Sequence, residues 1–407
     1  MLSLRPAVRS YAWGSHTMLP ELCGTTSPSP HPVAEHWYGA HSSGPSLASD
    51  GVGLDIHVAE DPEAQLGAAV RGCYHDRLPF LVKLLAAEQA LSLQAHPSLE
   101  QAREGFAREN ARGVPVDARD RNYRDDNHKP EILVALTEFH ALAGFRPVAD
   151  TVELLDALGV EALRPYRDML AVQPDAAGVR AVFTTFVTLP YEVLESLVPE
   201  VVTAAVGLLS SGAHERFRPA AATAVELGER YPADPGVLGA LLLNRLVLAP
   251  GEGVYLGAGN LHAYLHGVGV EVMANSDNVL RGGLTPKHVD VPELLRVLDF
   301  APVTDPVVRA EPLVGGLPGE LGYRTPAPDF ALSRIDLAPG AAELALRPEG
   351  PEILLCTAGE VTVSEGGVEE TLTPGGAVWL PDSCAEAGLC SVRGGTLFRT
   401  RVGATDA

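Results

Sequence analysis

The stretch that decides the fold is PGEGVYLGAGNLHAYLHGVGVEVMANSDN, at residues 250–278. Glycine interrupts it every few residues, and apolar residues alternate with other residues in between. Alternation with a period of two places every second side chain on one face, which is typical of a β-strand. Short strands separated by glycine turns favour a jelly roll or a barrel. The stretch therefore predicts a β core.

The same pattern of short apolar runs separated by turn residues extends on both sides of this stretch. Residues 1–150 contain strand-length apolar runs such as LPFLVKLLA and EILVAL, and one helix is predicted at SLEQAREGFARENARG, with Ser98 as its cap and Gln101 three residues later. A linker rich in Pro and Gly follows over about 301–327. The later segment PEILLCTAGEVTVSEGGVEETLTPGGAVWLPDS predicts further short strands that turn at AGE, EGG and PGG. This C-terminal region contains no histidine, so we do not expect it to bind metal.

Residues 151–245 are different. They are rich in Ala, Leu and Glu, and their apolar residues recur at spacings of three and four, which predicts a block of about five helices. The predicted fold class is mainly β with a helical insertion. The predicted domains are 1–150 together with 246–300, then 151–245, then 301–407.

Charge and composition exclude several classes of function. The 407 residues carry a formal net charge of −22, which repels nucleic acid and anionic lipid. The five cysteines are scattered, without a C-x-x-C pair, which favours a reducing compartment. No secretory signal is visible, and the most apolar stretch, VLGALLLNRLVLAP, is too short to span a bilayer. We expect a cytoplasmic protein that binds neither nucleic acid nor membrane.

Three separate motifs offer metal ligands. In QAHP, Gln94 and His96 are two residues apart and would share one face of a strand. Glu131 leads directly into the apolar run ILVAL, where a buried carboxylate needs a partner. In NLHAYLHG, His262 and His266 would lie ~13 Å apart on a strand, so one ion could not bind both, and His262 is the predicted ligand. Each motif alone also has an ordinary structural explanation, as a turn, a solvated loop or a structural histidine.

A fourth motif, NSDNVLRGGLTPKHVDVPELLRVL at 275–298, offers cations. Thr285 is the predicted cap and Pro286 the first residue of a helix, so Arg281 and Lys287 would lie around its start. Cations are disfavoured beside a helix N-terminus unless an anion lies between them, which indicates a phosphate or carboxylate ligand. The alternatives are ordinary solvated charges and a structural pair between Asp277 and Arg281.

Six segments carry a resemblance to a known family, and they follow one order along the chain. They are YAWGS at 11–15, AEHWYGAH at 34–41, LPFLVKLL at 78–85, LSLQAHPS at 91–98, NYRDDNHKPEI at 122–132 and NLHAYLHGVGVEVMANSDNVLRGGLTPKHVDVPELL at 260–295. In these segments the chain resembles the type I mannose-6-phosphate isomerases (phosphomannose isomerases), zinc enzymes of the cupin superfamily. The resemblance implies a cupin-type jelly-roll catalytic domain, an α-helical domain and a C-terminal β jelly-roll domain.

The resemblance also implies a reaction and a set of site residues. The protein would bind one zinc ion per chain and interconvert mannose 6-phosphate and fructose 6-phosphate by proton transfer through a cis-enediol. The product would enter mannose metabolism and GDP-mannose synthesis. The implied zinc ligands are Gln94, His96, Glu131 and His262. The implied catalytic residues are Arg281, Lys129, His128, Asp277 and Lys83, of which Asp277 and Lys83 are assigned to ring opening. Tyr264, Lys287 and Trp13 are assigned to substrate binding, and no oligomer is required.

Several alternatives stay open at this point. The base at carbon is either Lys129, which we favour because it would lie near the metal, or His128, because histidine is the usual proton carrier near neutral pH. The specificity for sugar phosphates could be broader than one substrate. A catalytically silent sugar-phosphate binder on the same fold is a third reading, although all four ligands and Arg281 are present. The chain departs from the family pattern at Leu99, where many members have Lys, and at Arg124 and Asp126, where Lys and Pro are common.

Overall fold

The computed structural model describes residues 1–403. The N-terminal elements are β1 (Leu2–Arg5), β2 (Ala7–Arg9), α1 (Met18–Leu22), β3 (Glu35–Tyr38), β4 (Leu47–Ala48), α2 (Leu54–Glu60), α3 (Pro62–Tyr74), β5 (Phe80–Ala87), β6 (Leu93–Ala95), α4 (Leu99–Ala111), β7 (Glu131–Ala135) and β8 (Phe139–Phe145). The helix predicted after Ser98 is confirmed as α4, and Ser98 and Gln101 form a reciprocal capping box at its start. Helices α2 and α3 were not predicted, although Asp61 caps α3 and Pro62 begins it.

The helical region follows as α5 (Val148–Leu158), α6 (Arg164–Val172), α7 (Ala176–Val187), α8 (Tyr191–Ser211), α9 (Arg218–Arg230) and α10 (Pro235–Ala240), with 3-10 turns at Glu161–Leu163 and Glu215–Phe217. It ends earlier than the apolar pattern suggested, because the next strand already begins at Leu243. A short apolar run cannot be assigned to helix or strand by periodicity alone. By length and composition α8 could cross a membrane, but its buried side chains belong to the core of the helical region.

The chain then returns to the first sheet as β9 (Leu243–Leu248), β10 (Gly253–Leu256), β11 (His262–Ala274), β12 (Leu280–Gly283) and α11 (Val291–Val297). The expected helix start at Thr285 and Pro286 is wrong. Asp290 is the cap of α11, and its side chain accepts a hydrogen bond from the N–H of Glu293 at 3.0 Å. The sequence offers both Thr-Pro and Asp-Val-Pro as caps, and the chain uses the second one.

Strand β11 joins two layers of this β core. Its first residues pair with β6 and β8, while Gly267–Ala274 pairs with β5 and, within it, Gly269–Met273 pairs with β7. The register shifts between Tyr264 and His266, and Gly267 has a φ of +125°. A Cβ atom at Gly267 would lie 2.7 Å from the carbonyl oxygen of Glu138, which directly precedes β8. Glycine therefore permits the bend that lets one strand serve both layers.

The C-terminal region is a second β structure. It follows β13 (Val307–Val308), which pairs with β10 of the first sheet. Its strands are β14 (Glu311–Pro312), β15 (Glu320–Tyr323), β16 (Ala331–Leu337), β17 (Leu344–Leu346), β18 (Glu352–Gly359), β19 (Val361–Glu365), β20 (Val368–Leu372), β21 (Ala377–Leu380), β22 (Ala387–Cys390) and β23 (Gly395–Arg401). The turns at AGE, EGG and PGG fall between consecutive strands from β18 to β21, as the sequence predicted. The predicted fold class is confirmed; the predicted domain boundaries stay a prediction.

The first strand of the chain lies in the C-terminal sheet. The order of that sheet is β14-β15-β16-β23-β18-β21-β1-β4, and Ser3 is the register partner of Val378. A single hydrophobic core also runs between the two β regions and includes Tyr38 and Phe80 from one side and Trp379 and Phe398 from the other. The two β regions are therefore joined both by a sheet and by a shared core.

Candidate metal centre and active site

Three neighbouring strands bring predicted metal ligands and the predicted catalytic arginine to one place. Gln94 on β6 is the register partner of His262 on β11 and also of Arg281 on β12. Directly opposed residues of antiparallel strands project their side chains to the same face of the sheet. Gln94 therefore stands between His262 and Arg281 on one face, and His96 follows at the end of β6.

Two histidines and one carboxylate meet in the interior of the first β region. His96 Nε2 lies 3.4 Å from Glu131 Oε1, and His262 Nε2 lies 3.6 Å from Glu131 Oε2. One ligand atom from each residue lies within 4.8 Å of the others, and all three side chains are buried. The structure thus brings together three of the four residues named as zinc ligands, with Gln94 beside them in the register.

The outer nitrogens of the two histidines are held by backbone carbonyls. His96 Nδ1 donates to the carbonyl oxygen of Asn278 at 2.7 Å, and His262 Nδ1 donates to that of Asn260 at 3.0 Å. Each ring therefore carries its proton on Nδ1 and directs the lone pair of Nε2 into the cluster. His96 Nε2 is buried without a hydrogen-bond partner among the described residues. A buried acceptor without a donor fits a metal ligand, and nitrogen with carboxylate oxygen is a donor set that suits zinc.

The charges around the cluster keep these ligands in their binding forms. Burial alone would raise the pKa of Glu131, but Lys129 and His96 outweigh burial and hold it well below its usual value. Lys129 Nζ lies 3.0 Å from Glu131 Oε1. Burial, assisted by His96, lowers the pKa of His262 to about 4, so this imidazole is neutral near pH 7. A carboxylate and neutral imidazoles are the forms that bind metal.

A buried pair lies next to the cluster on strands β5 and β11. Lys83 and Glu271 are direct register partners, and Lys83 Nζ lies 2.8 Å from Glu271 Oε2. Lys83 Nζ also lies 3.7 Å from Glu35 Oε1, while the Tyr264 hydroxyl donates to Glu271 Oε1 at 2.8 Å. Burial would lower the pKa of Lys83, but the surrounding glutamates reverse this and raise it. Lys83 therefore stays protonated, and the Tyr264 hydroxyl has no proton left to donate to a ligand, because it donates to Glu271.

The remaining predicted residues lie at different places around the site. His128 Nε2 lies 2.8 Å from Asp329 Oδ2, which belongs to the C-terminal region. Asp277 is half-exposed, and the Nε2 atom of the His41 imidazole lies 3.7 Å from Asp277 Oδ1. The ring of Trp13 packs against the core cluster that contains Tyr264. Of the two candidate bases, Lys129 contacts the metal cluster directly, while His128 is paired with Asp329.

Arg281 and Lys287 belong to a group of three cations that includes Arg124. Burial and the neighbouring Arg124 lower the pKa of Arg281, and burial, Arg281 and Arg124 lower that of Lys287. Among residues 1–403 none of the three has a carboxylate oxygen within ion-pair distance. Mutually repelling cations without a carboxylate, in a chain of net charge −22, have the charge that suits an anion. The site is not at a helix start, contrary to the expectation from the sequence.

Sequence reasoning missed three residues of the site. Glu271 was visible as the one acid in the apolar run VGVEVMA. His41 closes the segment AEHWYGAH, but nothing in the local pattern indicated its partner. Asn278 is fully buried, and its side chain accepts from the N–H of Arg124 at 2.7 Å and donates to the carbonyl of Asp125 at 2.9 Å. The Asn278 side chain thereby links the loop before β7 to its own segment, whose backbone carbonyl at residue 278 accepts the hydrogen bond from His96.

Comparison with known proteins agrees with this arrangement. Residues 1–148 match the family model of the catalytic domain of type I phosphomannose isomerase. Mannose-6-phosphate isomerase of Escherichia coli strain K12 is 39% identical over 384 residues, which cover 93% of this chain and 94% of that protein. Mannose-6-phosphate isomerase 1 of Arabidopsis thaliana is 32% identical over 396 residues, which cover 93% of this chain and 88% of that protein.

Solved structures agree over the whole length. The chain is similar to a crystal structure of mannose 6-phosphate isomerase bound with zinc and yttrium, with a TM-score of 0.88, 35% identity and coverage of 99% of this chain and 100% of that one. The apo form of the Salmonella typhimurium enzyme gives a TM-score of 0.88 at 36% identity and covers 99% of each chain. With the fold, the ligand cluster and the identity in agreement, this chain belongs to the type I mannose-6-phosphate isomerase family.

Proposed function

We propose that the protein is a zinc-dependent aldose–ketose isomerase that interconverts mannose 6-phosphate and fructose 6-phosphate. The observation that carries this proposal is the buried set His96, Glu131 and His262, with the unpartnered Nε2 atom of His96. Its relatives in bacteria, fungi and plants bear the name of this activity. We assign Gln94 as the fourth ligand, because its amide nitrogen donates to Ser92 Oγ at 3.1 Å and leaves the amide oxygen for the metal.

Zinc bound by these four residues would supply a Lewis acid for the sugar oxygens. A single carboxylate among the ligands leaves the ion a net positive charge, which favours that role. The chain's own residues then handle the protons. Lys129, at 3.0 Å from Glu131, is the base that we favour for transfer between C1 and C2, with His128 as the alternative. Arg281 cannot act as a base and stabilises negative charge on the substrate.

The three cations Arg124, Arg281 and Lys287 would bind the 6-phosphate group. Replacing Arg124 or Lys287 with Gln should raise KM for mannose 6-phosphate at least about tenfold, because a hydrogen bond to a charged group contributes about 1.5–3 kcal/mol. Zinc content should not change. Arg164, an exposed arginine paired with Glu161, provides the matched control as Arg164→Gln. An unchanged KM in both variants would remove the phosphate assignment.

The function is tested by isomerase activity before and after chelation, followed by addition of zinc. Loss of turnover and its recovery with zinc are expected, whereas full turnover by metal-free protein would contradict the proposal. Lys129→Met should abolish exchange of the C2 hydrogen with solvent while zinc content stays intact. If exchange continues, Lys129 is not the base, and His128→Asn becomes the informative variant. The same assay over a panel of sugar phosphates separates narrow from broad specificity, and no turnover of any of them would favour a silent binder.

We also propose that the enzyme acts in the cytoplasm on small molecules, without nucleic acid or membrane partners and without a required oligomer. The net charge of −22 and the free cysteines support this setting. Its product would enter mannose metabolism and GDP-mannose synthesis. Fractionation of cells that express the tagged protein would test the location.

A further inference from the structure

Ring opening needs a proton carrier that Lys83 does not provide. The sugar must open before isomerisation, and the sequence suggested Asp277 with Lys83 for that step. In the structure Lys83 Nζ is held at 2.8 Å by Glu271 and at 3.7 Å by Glu35, in the interior of the first β region. An ammonium group with these two carboxylates keeps its proton. Asp277 must therefore work with a different partner.

His41 is the residue that faces Asp277. It is 6% exposed, and its Nε2 lies 3.7 Å from Asp277 Oδ1. On the other side of the ring, the N–H of Ser43 donates to His41 Nδ1 at 3.2 Å, and the Ser43 hydroxyl lies 2.8 Å from the same atom. Because a backbone N–H can only donate, Nδ1 is the acceptor and Nε2 carries the proton. The protonated nitrogen is therefore the one that lies 3.7 Å from the Asp277 carboxylate.

The groups around His41 are those that surround the metal cluster. Burial lowers its pKa, Asp277 opposes burial, and Lys83, Lys129 and Arg9 lower it further, so the imidazole is neutral. Lys129 is the residue that contacts Glu131 of the metal cluster. Asp277 directly precedes Asn278, whose carbonyl accepts from His96. Asp277 is thus one residue away from a group that orients a metal-ligand candidate, and His41 lies beside Asp277.

The separation of the pair suits a hemiacetal. Opening one requires groups at two oxygens, O1 and O5, that are bonded to the same carbon. A distance of 3.7 Å is too long for a hydrogen bond between His41 and Asp277, so each group retains capacity for an oxygen of its own. A carboxylate and an imidazole N–H provide one acceptor and one donor at this spacing.

We propose that Asp277 and His41 open the pyranose ring of the substrate, which extends the proposed function and rests on it. The Asp277 carboxylate removes the proton from O1, the C1–O5 bond breaks with its electron pair passing to O5, and the C1–O1 carbonyl forms. Asp277 then returns the same proton to O5. His41 donates a hydrogen bond from Nε2 to O5 and stabilises the charge that develops there. The bound form of the substrate is therefore the closed sugar phosphate.

The test measures ring opening separately from isomerisation. Two-dimensional exchange NMR of mannose 6-phosphate at equilibrium gives the rate at which the zinc-loaded enzyme interconverts the α and β anomers. Asp277→Asn should slow this rate at least about 100-fold and His41→Gln at least about tenfold, as for lost acid–base catalysis. His57→Gln is the matched control, because His57 also pairs with a carboxylate, Asp50, at 3.1 Å. Asp277 is half-exposed, so its Asn variant should fold and retain zinc.

A second measurement separates ring opening from proton transfer at carbon. With substrate deuterated at C2, the isotope effect on turnover should fall toward one in both variants, because ring opening becomes the slow step. Anomer interconversion at the wild-type rate in Asp277→Asn, or no acceleration of it by the wild type, would overturn this inference. A slow variant that keeps the full isotope effect would also overturn it. Failure of the wild type to isomerise any sugar phosphate would instead contradict the proposed function.

Discussion

Replacing Asn278 with Ala should both destabilise the protein and weaken zinc binding. The Asn278 side chain is completely buried and makes hydrogen bonds to Arg124, Asp125 and Asn127. Truncation leaves the N–H of Arg124 and the carbonyl of Asp125 without their partners. At about 1–3 kcal/mol for each unsatisfied buried group, and with partial access of water to this loop, we expect a loss of about 2–4 kcal/mol.

Zinc affinity should fall because the same segment orients His96. The carbonyl of residue 278 remains in the variant, but its position is no longer fixed by the side chain. Loss of a partner that orients a ligand typically weakens metal binding by about 10–100-fold. Urea unfolding of the metal-free protein gives the first quantity, and competition with a chromophoric chelator gives the second.

Asn122→Ala is the matched control for this experiment. Asn122 lies in the same loop, but its side-chain amide makes one hydrogen bond, to Asp290 Oδ2 at 2.8 Å. We expect a cost of about 0.5–1.5 kcal/mol and unchanged zinc affinity. If Asn278→Ala unfolds at the wild-type urea concentration and binds zinc as tightly as the wild type, the role assigned to this residue is wrong.

Three further changes test the framework around the site. Burial lowers the pKa of His36 from 6.5 to about 4, so between these pH values the unfolded chain binds a proton that the folded chain does not. The free energy of unfolding should therefore fall as pH drops from 6.5 toward 4, by at most about 1.4 kcal/mol per pH unit. His36→Gln should flatten that slope in urea unfolding measured at several pH values. Arg399→Met leaves Glu352 and Glu320, which it now contacts at 2.6 and 3.2 Å, as unpaired buried acids, and should cost about 3–5 kcal/mol in urea unfolding while kcat of the folded fraction stays the same. Gly267→Ala forces a β-carbon into the bend of β11 at a φ of +125° and should lower the melting temperature; an unchanged melting temperature would show that the bend tolerates a side chain.

The sequence was most informative where the signal is local. The glycine spacing around His262 indicated a strand and so separated His262 from His266, and the structure has that strand as β11. The helix after Ser98 was also predictable, because its cap and its Gln101 lie within four residues. The start of α11 was misplaced, because two local cap signals compete and only packing selects between them.

Relations between distant residues could not be predicted in the same way. Lys83 and Glu271 meet because β5 and β11 pair in one particular register, and a shift of either strand by one residue would turn its side chain to the other face. Likewise, the partner of Asp277 depends on how the turn after β3 folds back, which brings His41 to it. The resemblance of the motifs indicated which residues share the pocket, but it did not indicate which residue each of them contacts.

The placement of β1 has a consequence for how the protein is made. Leu2, Ser3 and Leu4 are synthesised long before the strand that they pair with, Ala377–Leu380. During translation this segment must therefore wait with its backbone groups unpaired until the C-terminal β region has emerged from the ribosome.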